Sequence, residues 1–272
     1  MRRSRVLSPC KVNEFLYITG RYEDGYSRLQ TLYTVLDYGD AMDFSVRGDG
    51  RLTLSGFGFP MEQNLIYKAA VALREASGCR LGADIRVDKI LPQGGGLGGG
   101  SGNAATALVQ LNALWEAGLS KQELLSIGAR LGADVPLFIE GGATFGEGRG
   151  TELSDAPSRG GFYVVACPSC HVPTAELFKA PDLRRDCPVR THEELMRPPF
   201  ENVFTPVVAR RYPEVARLLE QMSKYGPARM SGSGGSCFLW HEDEASARHS
   251  LEGLKSAGIR CFMAMPLPRG GE

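Results

Sequence analysis

The stretch Pro92-Gln-Gly-Gly-Gly-Leu-Gly-Gly-Gly-Ser-Gly-Asn-Ala-Ala105 lies between a strand pattern and a helix pattern, and six glycines fall within residues 94–100. Because glycine has no Cβ, the amide groups of such a loop can converge on an anion. The helix that we expect to begin near Asn103 adds the positive end of its dipole. The stretch therefore predicts a polyphosphate-binding loop. A flexible linker is the alternative, but glycine at a strand-to-helix turn favours close approach of the backbone to a ligand.

Three phosphate-binding patterns compete for this loop. A Walker A loop requires Lys followed by Ser or Thr after its last glycine, where this chain has Ser101-Gly102. Gly94, Gly96 and Gly99 match the dinucleotide pattern G-x-G-x-x-G, but the acid expected about 20 residues later should follow a second strand, and Glu116 ends a predicted helix. The third pattern, Pro-x-x-x-Gly-Leu-Gly followed by Gly and Ser residues and Ala-Ala, resembles the phosphate loop of the GHMP kinases.

Further segments carry the same resemblance. Ser8-Pro-Cys-Lys-Val-Asn13 and Asp24-Gly-Tyr-Ser-Arg-Leu-Gln-Thr31 together resemble the N-terminal signature of the GHMP kinases that act on a cytidine-diphosphate-linked methylerythritol. Leu131-Gly-Ala-Asp-Val-Pro136 is similar to their catalytic-aspartate segment, and Met230-Ser-Gly-Ser-Gly-Gly-Ser-Cys-Phe238 resembles the C-terminal glycine motif of the superfamily. The resemblance implies transfer of a phosphoryl group from ATP, with Mg²⁺, to a hydroxyl of that alcohol in isoprenoid precursor synthesis.

The order of predicted elements favours an α+β fold of two domains. A strand-rich first part contains helices predicted at 65–77, 103–117 and 120–132, with Asn64 and Gly78 as caps of the first and a capping box at Ser120-Lys-Gln-Glu123. A polar, turn-rich link between residues 154 and 161 separates it from a second part that begins with an apolar strand at 162–166. We expect domains of residues 1–157 and 158–272, and the resemblance implies an active site in the cleft between them.

Phosphoryl transfer to an alcohol requires a group that accepts or orients the hydroxyl proton. No histidine precedes His171, so the base near the loop is expected to be a carboxylate or a lysine. Asp134 follows a predicted helix in a Gly-Ala-Asp-Val-Pro turn, and the resemblance favours catalysis over a turn cap. Lys11 stands in an apolar strand, where a lysine is costly unless it is paired, and we expect it to face Asp134. A solvent-facing lysine on an edge strand is the alternative.

The resemblance also implies the binding residues. Tyr26 and Phe178 would stack on the cytosine, although core packing is the alternative for both rings. Thr174 would reach the methylerythritol hydroxyls, and Asn13 and Ser27 complete the acceptor side. The residues expected on the ATP side are Pro92, Gly94, Gly95, Gly96, Leu97, Gly98, Gly99, Gly100, Ser101 and Asn103 in the loop, with Lys89 and Asn64 toward the ribose and adenine. We expect no metal-ligand cluster of the protein's own.

Three positions depart from the family pattern. Ser27 stands where the family typically has histidine, Gly102 where it has a second serine, and Glu14 where it has an apolar residue. The first two leave open a GHMP kinase with another alcohol as acceptor, or a nucleotide-binding homologue with weakened catalysis.

A separate motif, Cys167-Pro-Ser-Cys-His171, matches the C-x-x-C-H pattern of c-type haem attachment. Haem attachment requires export, and a zinc site requires a second cysteine pair, whereas Cys187 stands alone. We therefore expect free thiols without haem or zinc.

The bulk composition is that of a globular protein, with 43% hydrophobic and 23% charged residues in a chain of 272. Basic and acidic residues number 31 each, so no net charge attracts nucleic acid or an anionic membrane. Lys11 and Glu14 interrupt the N-terminal region before an apolar signal segment could form. We expect a cytoplasmic monomer or homodimer that binds neither nucleic acid nor membrane.

Overall fold

The computed structural model describes residues 2–269. Met1 and residues 270–272, at the outer ends of the predicted domains, lie outside the described residues. The strands are β1 Arg3–Arg21, β2 Ser27–Arg47, β3 Leu52–Ser55, β4 Gly82–Asp88, β5 Ala143–Gly148, β6 Glu152–Asp155, β7 Phe162–Ala166, β8 Arg229–Met230, β9 Cys237–His241 and β10 Cys261–Ala264. The helices are α1 Leu65–Ser77, α2 Gly99–Leu114, α3 Lys121–Leu131, α4 Val135–Glu140, α5 Thr174–Leu177, α6 His192–Leu195, α7 Thr205–Arg211, α8 Pro213–Met222 and α9 Glu244–Ser256, with a 3₁₀ turn at Met61–Gln63.

The chain forms two compact units. The first contains residues 1–10, 38–91 and 98–141, and the second contains residues 11–37, 92–97 and 142–272. This division by contacts differs from the division by sequence expected at residue 157, because β1 and β2 each contribute one part to each unit.

The first unit packs helices on a small sheet. The second half of β2 pairs antiparallel with β4, from Ala41 opposite Asp88 to Arg47 opposite Gly82, and β3 adds to β4 in parallel. Alternate residues of these strands point to one face, where Met42, Phe44, Ile85 and Val87 are buried. Their core is completed by apolar residues of α1, α2 and α3, among them Ile66, Leu73, Leu108, Leu111 and Ile127.

Local signals position the helices of this unit. The Asn64 side chain accepts a hydrogen bond from the amide of Ile66, and Gly78 ends α1 in a left-handed conformation with φ of 69°. Ser120 and Glu123 form both halves of the predicted capping box at the start of α3. The sequence predictions for α1 and α3 are therefore confirmed.

The second unit has its own core. The first half of β2 pairs with β5, which pairs with β6, and a separate antiparallel sheet has the order β10-β7-β9-β8. Helices α8 and α9 contact this second sheet. The core contains Phe15 and Ile18 of β1 together with apolar residues of the later segments, among them Val164, Phe204, Leu239 and Leu254.

One sequence prediction needs correction, and several elements were not predicted. Helix α2 begins at Gly99 rather than at Asn103, because the left-handed Gly98 (φ 69°) turns the chain directly into the helix. Helix α4 and strands β5 and β6 were not predicted. Helix α4 is short, β5 contains glycines, and the end of β6 falls in the polar link expected at residues 154–161. Within residues 2–269, no helix combines the length and apolarity needed to cross a membrane.

Candidate active site

The glycine-rich loop has the conformation of an anion-binding turn. Gly94, Gly96 and Gly98 have positive φ angles of 69°, 77° and 69°, a region that other residues adopt only with strain. The first hydrogen bond of α2 runs from the Gly102 amide to the Gly98 oxygen at 2.8 Å. The amides of Gly99, Gly100 and Ser101 precede that bond and point out of the N-terminal end of the helix. These groups and the helix dipole together favour phosphate.

The C-terminal glycine motif holds the middle of this loop within the second unit. The Ser236 amide donates to the Gly95 oxygen at 3.1 Å, and the Ser231 hydroxyl donates to the Gly96 oxygen at 3.0 Å. A Cβ added to Gly96 would overlap the main-chain oxygen of Ser231, so the two glycine segments approach backbone to backbone. The sequence indicated both motifs as family features, but it did not indicate this direct contact.

Lys11 and Asn13 form a buried polar pair on β1. Lys11 is only 4% exposed, and its Nζ donates to Asn13 Oδ1 at 2.5 Å. Asn13 Nδ2 donates to the Thr31 hydroxyl at 2.8 Å, which fixes the amide's orientation. The Lys11 amide donates to the Leu97 oxygen at 3.0 Å, so this strand adjoins the phosphate loop. The solvent-facing alternative for Lys11 is therefore wrong.

Asp134 occupies the N-cap position of α4 in the first unit, but its side chain makes no capping hydrogen bond. Asp134 therefore does not act as a side-chain cap of α4. Its catalytic role stays a prediction.

Lys89 and Asn103 meet at a buried carboxylate that the sequence analysis missed. Asp40, with an exposed fraction of 0%, accepts hydrogen bonds from Lys89 Nζ at 2.5 Å and from Asn103 Nδ2 at 3.0 Å. Its other oxygen accepts from the amides of Ile90 and Leu91 at 2.8 and 3.0 Å. The carboxylate therefore ties the residues just before the phosphate loop to the first turn of α2. Asp40 lies in the polar segment Asp37-Tyr-Gly-Asp40, so no local pattern of the sequence distinguishes it.

The Asn64 side chain uses one of its two polar groups in a hydrogen bond. Its Oδ1 caps α1, whereas its buried Nδ2 has no hydrogen-bond partner. A buried amide without a partner is unfavourable by about 1–3 kcal/mol, so a ligand acceptor there would be favoured. This observation is consistent with the predicted place of Asn64 on the ATP side.

Tyr26 is a ring exposed at the surface of the second unit. It is 61% exposed, and the guanidinium of Arg149 lies 4.5 Å from its ring centroid. Asp24 pairs with Arg149 and accepts a hydrogen bond from the Tyr26 amide at 3.1 Å, which orders the turn before Ser27, the first residue of β2. One face of the Tyr26 ring is thereby covered by a cation.

The other predicted acceptor residues lie around α5. The hydroxyl groups of Thr174 and Ser233 are 2.7 Å apart, so Thr174 adjoins the C-terminal glycine motif. Phe178 packs edge-on against Phe204 with ring centroids 4.8 Å apart, which is the core-packing alternative for this ring. A stacking role for Phe178 stays a prediction.

The cysteines of the C-x-x-C-H segment, Cys167 and Cys170, are free thiols. Cys167 is buried at the end of β7 and accepts a hydrogen bond from the Ser236 hydroxyl at 3.5 Å. Burial raises the pKa of both the Cys167 and the Cys170 thiol, which disfavours reactive thiolates. His171 packs against Gly94 of the phosphate loop.

Comparison with known proteins defines the class. Family models match the chain for the N-terminal domain of GHMP kinases over residues 64–142 and for the C-terminal domain over residues 181–260. The chain belongs to the GHMP kinase family and has its two-domain α+β fold, so the resemblance in the motifs is confirmed. It is an ATP-dependent small-molecule kinase.

The relatives narrow this class. A 4-diphosphocytidyl-2-C-methyl-D-erythritol kinase from Mannheimia succiniciproducens is 46% identical over 95% of this chain and 86% of its own length. An enzyme of the same name from Vibrio cholerae is 47% identical over 94% of this chain and 89% of its own length. Within the GHMP kinases, the chain therefore belongs with the family that carries this name.

Solved structures agree. A crystal structure of 4-(cytidine 5'-diphospho)-2C-methyl-D-erythritol kinase superposes with a TM-score of 0.85 and 31% identity, over 98% of this chain and 100% of that one. A homoserine kinase from Cytophaga hutchinsonii superposes with a TM-score of 0.72 over 99% of this chain and 96% of its own, but at 16% identity it shows the shared fold alone.

Proposed function

We propose that this chain phosphorylates a hydroxyl group of 4-diphosphocytidyl-2-C-methyl-D-erythritol with ATP, in the non-mevalonate route to isoprenoid precursors. The observation that carries the proposal is the buried pair of Lys11 and Asn13 next to the phosphate loop. The names of the relatives identify this compound as their substrate. Burial keeps water from the amine and amide, so both can be directed at a substrate.

In the proposed reaction, the acceptor oxygen attacks the γ-phosphorus of ATP and the bond from that phosphorus to the β,γ-bridging oxygen breaks, which leaves ADP. Asp134 accepts or orients the proton of the acceptor hydroxyl. Lys11 offsets the negative charge that develops on the transferred group. The amides of residues 94–101 hold the phosphates, while Lys89, Asn103 and Asn64 complete the ATP side.

Mg²⁺ is proposed as the companion of ATP. Among residues 2–269, no three His, Cys, Asp or Glu side chains are arranged as a metal cage. Nucleotide kinases usually hold Mg²⁺ mainly by phosphate oxygens and water, so the ion would be held here together with the phosphates at the amides of residues 94–101. The ion neutralises phosphate charge when bound. We also propose a cytoplasmic enzyme that acts as a monomer or homodimer, without a nucleic-acid or membrane partner.

One alternative has an observation in its favour. Ser27 follows the exposed Tyr26 and lacks the imidazole that the family pattern places there, so the chain is also a candidate kinase for another alcohol. The experiment is ATP consumption measured with 4-diphosphocytidyl-2-C-methyl-D-erythritol and with a panel of alcohols that lack cytidine. ADP release that depends on the cytidine compound supports the proposal. Faster turnover of another alcohol supports the alternative, and no acceptor-dependent turnover indicates a homologue with weakened catalysis.

A further inference from the structure

Glu14 is a buried carboxylate for which the proposed chemistry has no use. It lies on β1 directly after Asn13, and its side chain is only 1% exposed. Successive side chains of a strand point to opposite faces, so Glu14 lies on the face away from Lys11 and Asn13. A buried carboxylate is strongly unfavourable unless it is paired.

Four groups meet this carboxylate. Its Oε2 lies 3.0 Å from Arg229 Nη1 and 3.7 Å from Arg159 Nη1. Its Oε1 accepts hydrogen bonds from the Tyr163 phenol and, at 3.3 Å, from the Thr34 hydroxyl. Burial and the Glu14 charge both raise the pKa of Tyr163, which keeps the phenol a donor. The cluster is therefore a buried ion pair with a second arginine at its edge.

Only one of the two arginines also holds the backbone of β1. Arg229 Nη1 donates a hydrogen bond to the main-chain oxygen of Glu14 at 3.0 Å, whereas its contact with the carboxylate is an ion pair without hydrogen-bond alignment. Arg159 instead lies over the Trp240 ring, 4.0 Å from its centroid. Arg229 therefore fixes a strand, and Arg159 contributes charge.

The strand that Arg229 fixes leads directly to the site. Arg229 lies in β8, two residues before Ser231, whose hydroxyl accepts from the Asn13 amide at 3.1 Å and donates to the Gly96 oxygen at 3.0 Å. One hydroxyl thus connects the Lys11 and Asn13 strand to the centre of the phosphate loop. Its position depends on how residues 229–231 lie against residues 13–14.

We propose that Glu14 and Arg229 are positioning residues, which hold Ser231 where it aligns both Asn13 and Gly96 for ATP binding and phosphoryl transfer. The transfer half of this inference rests on the proposed function, whereas the ATP-binding half does not. A pair with only a structural role would affect unfolding and leave nucleotide affinity unchanged.

The test compares Arg229→Met with Arg159→Met in the full-length chain. Both variants remove one positive charge near Glu14, but only the first releases residues 229–231. Calorimetric titration with Mg·ATP is expected to give a Kd about tenfold higher for Arg229→Met, with kcat lowered about tenfold, because small displacements of reacting groups cost one to two orders of magnitude. Arg159→Met is expected to stay within about twofold of wild type in both quantities, since it keeps the β1 contact.

Two further variants keep the proposal testable if Arg229→Met folds poorly. Ser231→Ala leaves the ion pair intact and should reproduce the higher ATP Kd, and Glu14→Gln, which keeps the side-chain size, should shift it in the same direction. Adding Ser231→Ala to a folded Arg229→Met should give little further loss, because both changes break one connection. The proposal would be overturned if the two arginine variants had equal effects on the ATP Kd and kcat. It would also be overturned if folded Arg229→Met, Glu14→Gln or Ser231→Ala protein bound ATP with the wild-type Kd. Calorimetry needs no acceptor, so a wild-type chain that binds ATP without transferring phosphate would refute the proposed function and still test the pair.

Discussion

The substitution Asp40→Asn tests whether the Asp40 carboxylate supports the phosphate loop. The asparagine oxygen can still accept from the amides of Ile90 and Leu91. Its new NH₂ group, however, faces Lys89 Nζ and Asn103 Nδ2, which are both donors. Two charge-assisted hydrogen bonds are lost, each contributing about 1.5–3 kcal/mol. The Asn103 amide cannot compensate by turning over, because its oxygen already accepts from Lys89 Nζ at 3.2 Å. The expected loss of unfolding free energy is therefore about 3–5 kcal/mol, the range for breaking a buried ion pair.

The assay follows the first unit by fluorescence of Trp115, whose buried indole donates to the Gly82 oxygen at 3.1 Å. A Trp240→Phe background removes the second tryptophan of the chain. In urea, Asp40→Asn should lower the midpoint with little change of slope. In turnover, it should raise the KM for ATP several-fold and leave the KM of the acceptor unchanged, because Asp40 supports the two ends of the ATP loop.

Asp43→Asn is the matched control on the same strand. Asp43 forms a partly exposed ion pair with Arg5, and such pairs contribute about 0–1 kcal/mol. The reasoning about Asp40 is refuted if the two variants unfold at the same urea concentration. It is also refuted if Asp40→Asn changes the KM of both substrates equally, since that result would indicate a general loss of structure.

Three other substitutions have defined expectations. Asp134→Asn should leave the ATP Kd near wild type and lower kcat by about 100-fold or more, the usual loss for a general base; single-turnover kinetics within a few-fold of wild type would remove this residue from the mechanism. Ser27→His should lower the acceptor KM about fivefold if the new ring displaces poorly ordered water beside Tyr26, with an unchanged KM for ATP; an unchanged acceptor KM would argue against a cytosine pocket there. Gly102→Ser, although it restores the family residue, should destabilise the chain by about 1–3 kcal/mol, because the added Cβ would lie 2.7 Å from the Pro9 oxygen. Thermal unfolding at or above the wild-type temperature would contradict that packing argument.

Features with local causes could be predicted from the sequence. The caps at Asn64 and Gly78 and the box at Ser120 involve residues within four positions of one another, so α1 and α3 begin and end as expected. The phosphate loop could also be predicted from a short segment, because six glycines fall within residues 94–100. The burial of Lys11 was predictable for a similar reason, since its neighbours in β1 are apolar.

Features with distant causes could not be predicted. Asp40 and Lys89 are 49 residues apart, and nothing in either segment indicates the other. Strand β5 reads as a loop because it contains glycines, yet a Cβ on Gly146 would overlap the Tyr33 ring on the paired strand β2. Local propensity is unfavourable at such a position, and the tertiary contact requires the glycine. The bond between Ser231 and Gly96 likewise spans 135 residues.

The three departures from the family pattern do not carry equal weight once their neighbours are known. Gly102 is buried against the Pro9 oxygen, so its missing hydroxyl reflects a packing requirement of this chain. Glu14 is matched by Arg229, Arg159 and Tyr163 within the same unit, so the polar residue is paired where the family has an apolar one. Neither change therefore argues for lost catalysis. Ser27 differs because it directly follows the exposed Tyr26 ring, against which the Arg149 cation lies. The choice between the cytidine-linked acceptor and another alcohol consequently depends on this one surface, and comparing acceptors in wild type and Ser27→His addresses it directly.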